Sequence, residues 1–181
     1  KGDKQATAII QRAHTNFVYE AVGGEVMLDK RMKGGEEEGN DDIELNMKLV
    51  WDFATTTPID ELSFILQTKE YNLKAARESR KGNYGHCLGK TMDRPLSHGI
   101  FGNSIFSHII SATASACDAR MGGALIPVMS NSGSGNQGIC ATNPVAVYAE
   151  ENENTEEELT RALILSHLTA IYIKQSLGKL S

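Results

Sequence analysis

Residues 130–138 read Ser-Asn-Ser-Gly-Ser-Gly-Asn-Gln-Gly, the stretch of this sequence best equipped to hold a small ligand. Gly133, Gly135 and Gly138 let backbone N–H groups come close to a bound group, and Asn131 tolerates the left-handed region. Ser130, Ser132 and Ser134 add hydroxyls, and Asn136 and Gln137 add amide donors. A helix that begins here also presents N–H groups with no intrahelical partner, which attract an anion. Residues 130–137 are therefore the candidate substrate-binding set. The plainer reading is a flexible serine–glycine linker. Apolar stretches on both sides, 124–129 and 139–149, weigh against it, because a linker rarely interrupts a core so tightly.

A second candidate lies just upstream. Asp118 and Arg120 precede Gly122-Gly123. One reading points a catalytic carboxylate and guanidinium at the same cavity as the serine loop. The other, equally open, is a structural ion pair with helix-end charge. Cys87, Cys117 and Cys140 form no CxxC. His86-Cys87 is at most half a metal site, and Cys117 and Cys140 read as core fillers. The chain thus offers no expected metal or cofactor ligands. His108 and His167 fall in helices and read as packing residues. His14, between two expected strands, is the histidine to watch.

The elements that must position these groups are legible in outline. Residues 6–32 carry three β-rich runs, with Gly23-Gly24 as a hairpin signal between the last two. Residues 32–42 read as a glycine- and acid-rich loop. Helical spacing then takes over. Ile43, Met47, Val50 and Ala54 share one face of a first helix. Thr57 as cap and Pro58 at the first position open a second, running to about residue 80. Residues 82–89 read as loop. Residues 96–120 predict one long helix rich in small residues (Ser107, Ser111, Ala112, Ala114, Ser115, Ala116), suited to burial at the centre, and Gly122-Gly123 ends it. The segment after the serine loop predicts a helix kinked or restarted at Pro144. Thr155 and Glu158 form a capping box for a last helix to about residue 177. The expected fold is α+β: a small antiparallel meander over 1–34, then a mainly helical domain over 35–181 around a buried central helix.

Composition narrows the function classes. The chain has 181 residues, is 40% apolar and 23% charged, and carries a net charge of -5. That is enough apolar material for a core. Twelve of the 23 acids lie in two runs, 36–44 and 150–158, which leaves 11 acids against 18 Lys and Arg elsewhere. Two solvated acidic segments on a mildly basic remainder suit a small anionic ligand. No basic stretch interleaves with aromatics, which argues against nucleic acid. No apolar run is long enough for a membrane span. Three cysteines are too few for a disulfide scaffold and place the expected setting in the reducing cytoplasm. Oligomeric state is not specified, and a homo-oligomer stays open.

The run from Cys117 through Asp118-Ala119-Arg120-Met121-Gly122-Gly123, followed by Pro127-Val128-Met129 and the serine loop, resembles the L-cysteine desulfidase family, relatives of the iron–sulfur L-serine dehydratase alpha chain. His14-Thr15-Asn16, Tyr84-Gly85 and Gly89-Lys90-Thr91 are similar to further family segments. The resemblance covers about residues 6–177. It implies β-elimination from L-cysteine or L-serine without pyridoxal phosphate, yielding pyruvate, ammonia and either sulfide or water. It also implies a [4Fe–4S] cluster with three cysteine ligands. In relatives those cysteines lie in segments this chain does not contain, so the cluster is expected in a longer protein and not in this fragment. A start at Lys1 and a stop soon after Gly178 fit a central piece. Two other readings are a non-catalytic amino-acid-binding relative and a pyridoxal-phosphate eliminase with the serine loop as phosphate cradle. The helix-rich element order disfavours the latter. On this reading the chain, reconstituted anaerobically with iron and sulfide, binds no stable [4Fe–4S] cluster. Cluster absorption that vanishes on replacing Cys87, Cys117 and Cys140 would show those thiols to be ligands after all.

Overall fold

A computed structural model describes residues 2–11, 16–31 and 43–177. His14, the 32–42 segment with most of the first acidic run, and Gly178 lie outside the described residues. The chain divides into two compact units, Lys1–Ile43 and Glu44–Ser181. The first is a three-stranded antiparallel meander of β1 (Ala6–Ile10), β2 (Phe17–Val22) and β3 (Glu25–Asp29), in that order. Gly23 and Gly24 make the two-residue turn between β2 and β3, both at positive φ (60° and 89°), as a type I′ hairpin requires.

The second unit is helical. Its elements are α1 (Met47–Thr56), α2 (Ile59–Leu62), a 3-10 turn (Ser63–Ile65), α3 (Leu66–Ser79), α4 (Leu88–Met92), α5 (Pro95–Phe101), α6 (Ile105–Met121), α7 (Gly135–Glu151) and α8 (Glu156–Leu177). The α+β expectation holds, and α6 is the buried central helix. It packs against α3, α4 and α7 and buries Ser107, Ser111, Ala112, Ser115, Ala116 and Ala119. Small side chains on that face let three helices approach it. One core cluster joins Leu73, Ala76, Ala112, Ala116, Ile139 and Val147. A second joins Ala54, Leu62, Ile65, Leu159, Leu163 and Ile164.

Local chemistry moves several boundaries from where periodicity puts them. The first helix starts at Met47, because the Asn46 side chain accepts the Leu49 N–H as its cap. Ile43 lies before it and is exposed. Thr57 closes α1, donating its N–H to the Phe53 carbonyl, so Pro58 and not Thr57 takes the cap position of α2. The expected single helix to residue 80 is interrupted by the 3-10 turn. The expected 82–89 loop gives way to α4 at Leu88. The helix expected over 96–120 is two: Gly102 ends α5 at φ 75°, and the Ser104 hydroxyl caps α6 by accepting the Ser107 N–H. Pro144 does not restart α7, which runs unbroken through it. The missing Pro144 N–H leaves the Cys140 carbonyl without its intrahelical donor. The capping box at Thr155 and Glu158 forms in both directions, and its hydrogen bonds hold the Glu158 carboxyl below the usual range.

Leu163 is fully buried in the second cluster, where α8 meets the α1–α2 layer. Leu163→Ala should therefore cost about 2–5 kcal/mol of unfolding free energy in urea titrations. A loss below about 1 kcal/mol would contradict that packing.

Candidate functional site

The serine loop is a built turn. Asn131 and Ser134 exchange backbone hydrogen bonds at 3.0 Å in both directions. Between them Ser132 (φ 47°) and Gly133 (φ 79°) both take positive φ. A serine in that region is uncommon and persists only where surroundings over-determine it. Here they do. Asn131 is buried, and its Oδ1 accepts from the Ser132 hydroxyl (2.9 Å) and the Gln137 amide (3.0 Å). Its Nδ2 donates to the carbonyl (3.0 Å) and ring Nδ1 (3.1 Å) of His167 on α8.

That ring carries the network onward. Because Nδ1 accepts, the proton sits on Nε2, which donates to the Thr142 hydroxyl at 3.0 Å. Thr142 donates to the Gly138 carbonyl (2.8 Å) and accepts from Asn72 Nδ2 (3.1 Å). Asn72 closes the circuit on the segment leading into the loop: its Oδ1 accepts the Met129 N–H, and its Nδ2 donates to the Met129 carbonyl. Asn72, Asn131, Thr142 and His167 are all buried, and each hydrogen they offer in this circuit meets an acceptor. Burial pushes the His167 pKa down, which favours the neutral ring that the circuit uses. His167 is thus more than packing. His108, also read as packing, lies at the surface, bonded to Glu151 and Asn103.

Ser134 is the cap of α7, its hydroxyl accepting the Gln137 N–H. The Gly135 and Asn136 N–H groups come before the first intrahelical bond and point out of the helix end. Arg120 lies across that end. Its guanidinium donates to Asn136 Oδ1 at 3.1 Å. A Cβ at Gly135 would fall 2.2 Å from Arg120 Nε, so only glycine admits the side chain here. Among the described residues no carboxylate pairs with Arg120. Two N–H groups and an unneutralised guanidinium therefore meet at one helix terminus, an arrangement fit for a carboxylate.

Asp118 is placed differently. Its two oxygens accept the His86 N–H (2.9 Å) and the Leu88 N–H (2.8 Å), capping α4 from a neighbouring helix. Gly85, at φ 53°, passes so close that a Cβ would meet Asp118 Oδ1 at 2.3 Å. The structure brings Arg120 to the serine loop and commits Asp118 to the 85–88 segment. A cleft of about 360 Å³ lies toward the other end of α6 and α7, lined by Arg80, Asp93, His108, Glu150 and Glu151, and no serine-loop residue lines it.

The cysteines also depart from expectation. Cys140 is exposed and Cys117 half-buried, so neither is a plain core filler. Among the described residues no three His, Cys, Asp or Glu side chains are grouped to hold a metal ion. The donor set of these residues does not fit a [4Fe–4S] cluster, which needs three converging thiolates.

The network makes stability pH-dependent with a defined sign. A histidine whose folded pKa lies below its unfolded value holds its full stabilisation above about pH 6.5 and loses it as pH falls through that value. The melting temperature should drop on acidification from pH 7 to 5, and His167→Gln should flatten that slope. Equal slopes in both proteins would remove His167 from the titration.

Residues 9–181 match the sequence model of the serine dehydratase alpha chain. A UPF0597 protein of Bacteroides fragilis is 62% identical over 180 residues, 99% of this chain and 42% of its own length. One of Bacteroides thetaiotaomicron is 60% identical over 180 residues, 42% of its length. One of Vibrio parahaemolyticus is 42% identical over 182 residues, 99% of this chain and 43% of the relative. The chain thus spans less than half the length of these relatives. No solved structure matches it. Among the described residues no helix is long and apolar enough to cross a membrane.

Proposed function

The chain belongs to the serine dehydratase alpha chain family, and we propose that it is the substrate-holding segment of a lyase acting on a small amino acid, L-serine or L-cysteine. The observation that carries this reading is the helix terminus where Arg120, Gly135 and Asn136 converge. The substrate carboxylate sits against the Gly135 and Asn136 N–H groups and the Arg120 guanidinium. The α7 dipole contributes roughly 0.3–1 kcal/mol, and each charge-assisted hydrogen bond about 1.5–3 kcal/mol. Ser132 and Ser134 flank that position from the turn. The buried Asn131–His167–Thr142–Asn72 circuit keeps the turn in shape, so the donors are already oriented when substrate arrives.

Asp118 acts as a positioning residue. With both oxygens committed to backbone N–H groups, it holds the 85–88 segment against the end of α6 that carries Arg120. Family membership brings β-elimination to pyruvate and ammonia into the proposal for the longer protein. The described residues supply the grip on the substrate and not the ligands of a cluster.

In the full-length protein, Arg120→Ala and Asn136→Ala should each lower kcat/KM for pyruvate formation from L-serine or L-cysteine about 10- to 1000-fold with the melting temperature little changed, and Ser134→Ala, which also removes the α7 cap, should lower both kcat/KM and the melting temperature. Calorimetric titration with each amino acid separates the two halves of the reading. Binding that weakens in the Arg120 variant while wild type makes no pyruvate would identify an amino-acid-binding protein. Wild-type turnover in all three variants would sink the site.

A further inference from the structure

The cleft toward the other end of α6 and α7 from the serine loop is built from one stripe of each of three helices. On α3, Leu73, Ala76, Arg77 and Arg80 follow the helical repeat and share a face. On α6, His108 and Ala112 do the same, and on α7 so do Val147, Glu150 and Glu151. The floor is apolar and buried, since Leu73, Ala76, Ala112 and Val147 belong to the first core cluster. Above it stand charged groups, arginines from α3 and glutamates from α7. A volume of about 360 Å³ falls within the range of small-ligand pockets, which combine an apolar lining with a few placed polar groups.

The polar groups of this cleft divide into those already matched and those left open. Arg80 pairs its Nε with one Asp93 oxygen (3.1 Å) and donates a terminal N–H to the Ser111 hydroxyl (2.8 Å). Ser111 donates to the other Asp93 oxygen (2.9 Å), so that side is closed. His108 is held between Glu151 and Asn103. Arg77 differs. Among the described residues its one ionic contact is with Glu150 at 4.0 Å, beyond hydrogen-bond reach. Glu150 and Glu151 each engage a single oxygen, on Lys69 and on His108, and their second oxygens have no partner among the described residues. A guanidinium with open donors thus stands beside carboxylates with open acceptors, over an apolar floor. The ligand that matches all three parts carries an anion and a cation close together and an apolar tail. We propose that the cleft is a second binding site, for an α-amino acid with an aliphatic side chain. Its carboxylate meets Arg77, its ammonium meets Glu150 and Glu151, and its side chain lies on the floor. This site is separate from the serine loop, because His108 and Arg120 lie about 18 Å apart along α6.

The test is isothermal titration calorimetry of the full-length protein with L-leucine, for which saturable binding is expected. 4-Methylpentanoate lacks the ammonium and 3-methylbutylamine lacks the carboxylate, so each should bind about 10-fold more weakly or worse. Arg77→Ala and Glu150→Gln should each weaken leucine binding about 10- to 100-fold, the scale of a lost charge-assisted hydrogen bond. Both side chains are exposed, so the melting temperature should not move. Arg120→Ala, at the serine loop, should leave leucine binding unchanged. The proposal is overturned by the absence of saturable heat with leucine, by either analogue binding as tightly as leucine, or by unchanged affinity in both cleft variants. Leucine binding that disappears in Arg120→Ala would also overturn it, by assigning the ligand to the serine loop.

Discussion

Everything near the serine loop depends on a buried circuit of hydrogen bonds through Asn131, His167, Thr142 and Asn72. The constraint behind it is that polar groups taken from water must find partners, and each orphan costs roughly 1–3 kcal/mol. Four polar side chains from α3, α7, α8 and the loop meet inside the helical unit, and their donors and acceptors can be matched in one way only. Thr142 has one hydrogen and two lone pairs; it spends the hydrogen on Gly138 and receives from Asn72 and His167. That assignment dictates the tautomer of His167, which in turn leaves Nδ1 to accept from Asn131. Asn131 is thereby held, and with it the turn in which Ser132 adopts a left-handed backbone.

The circuit separates holding from binding. Its members are buried and satisfied, and so are poor candidates for contact with a ligand. The groups that remain available are those the circuit presents: the Gly135 and Asn136 N–H groups and the Arg120 guanidinium. Arg120 gains its place from packing as well as from charge. Its side chain crosses the α7 terminus only because residue 135 has no Cβ, and its own helix lies close to α7 only because both faces are built of small residues.

Asp118 shows how a site can be assembled from one helix end serving two directions. Two residues apart on α6, Asp118 and Arg120 project about 200° around the helix from one another. One clamps the 85–88 segment and the other reaches the serine loop. A carboxylate and a guanidinium so near in sequence invite an ion-pair reading, but their directions preclude it, and each takes partners from a different neighbouring element.

Much of this was legible from residue order alone. Glycine at hairpin and helix ends, the Thr155–Glu158 box and the small-residue face of the central helix are local matters, settled by backbone sterics and nearest neighbours. The family resemblance also lies in contiguous letters. Where local rules competed, the sequence by itself was misleading: Asn46 out-caps the apolar period at Ile43, and Gly102 with Ser104 divides what periodicity would join. Only the tertiary structure decided which distant groups meet. No spacing pairs His167 with Asn131 across 36 positions, or Asn72 with Met129 across 57. Those encounters follow from how four helices pack, and packing is a property of faces, which the order of residues specifies only once the helices have neighbours.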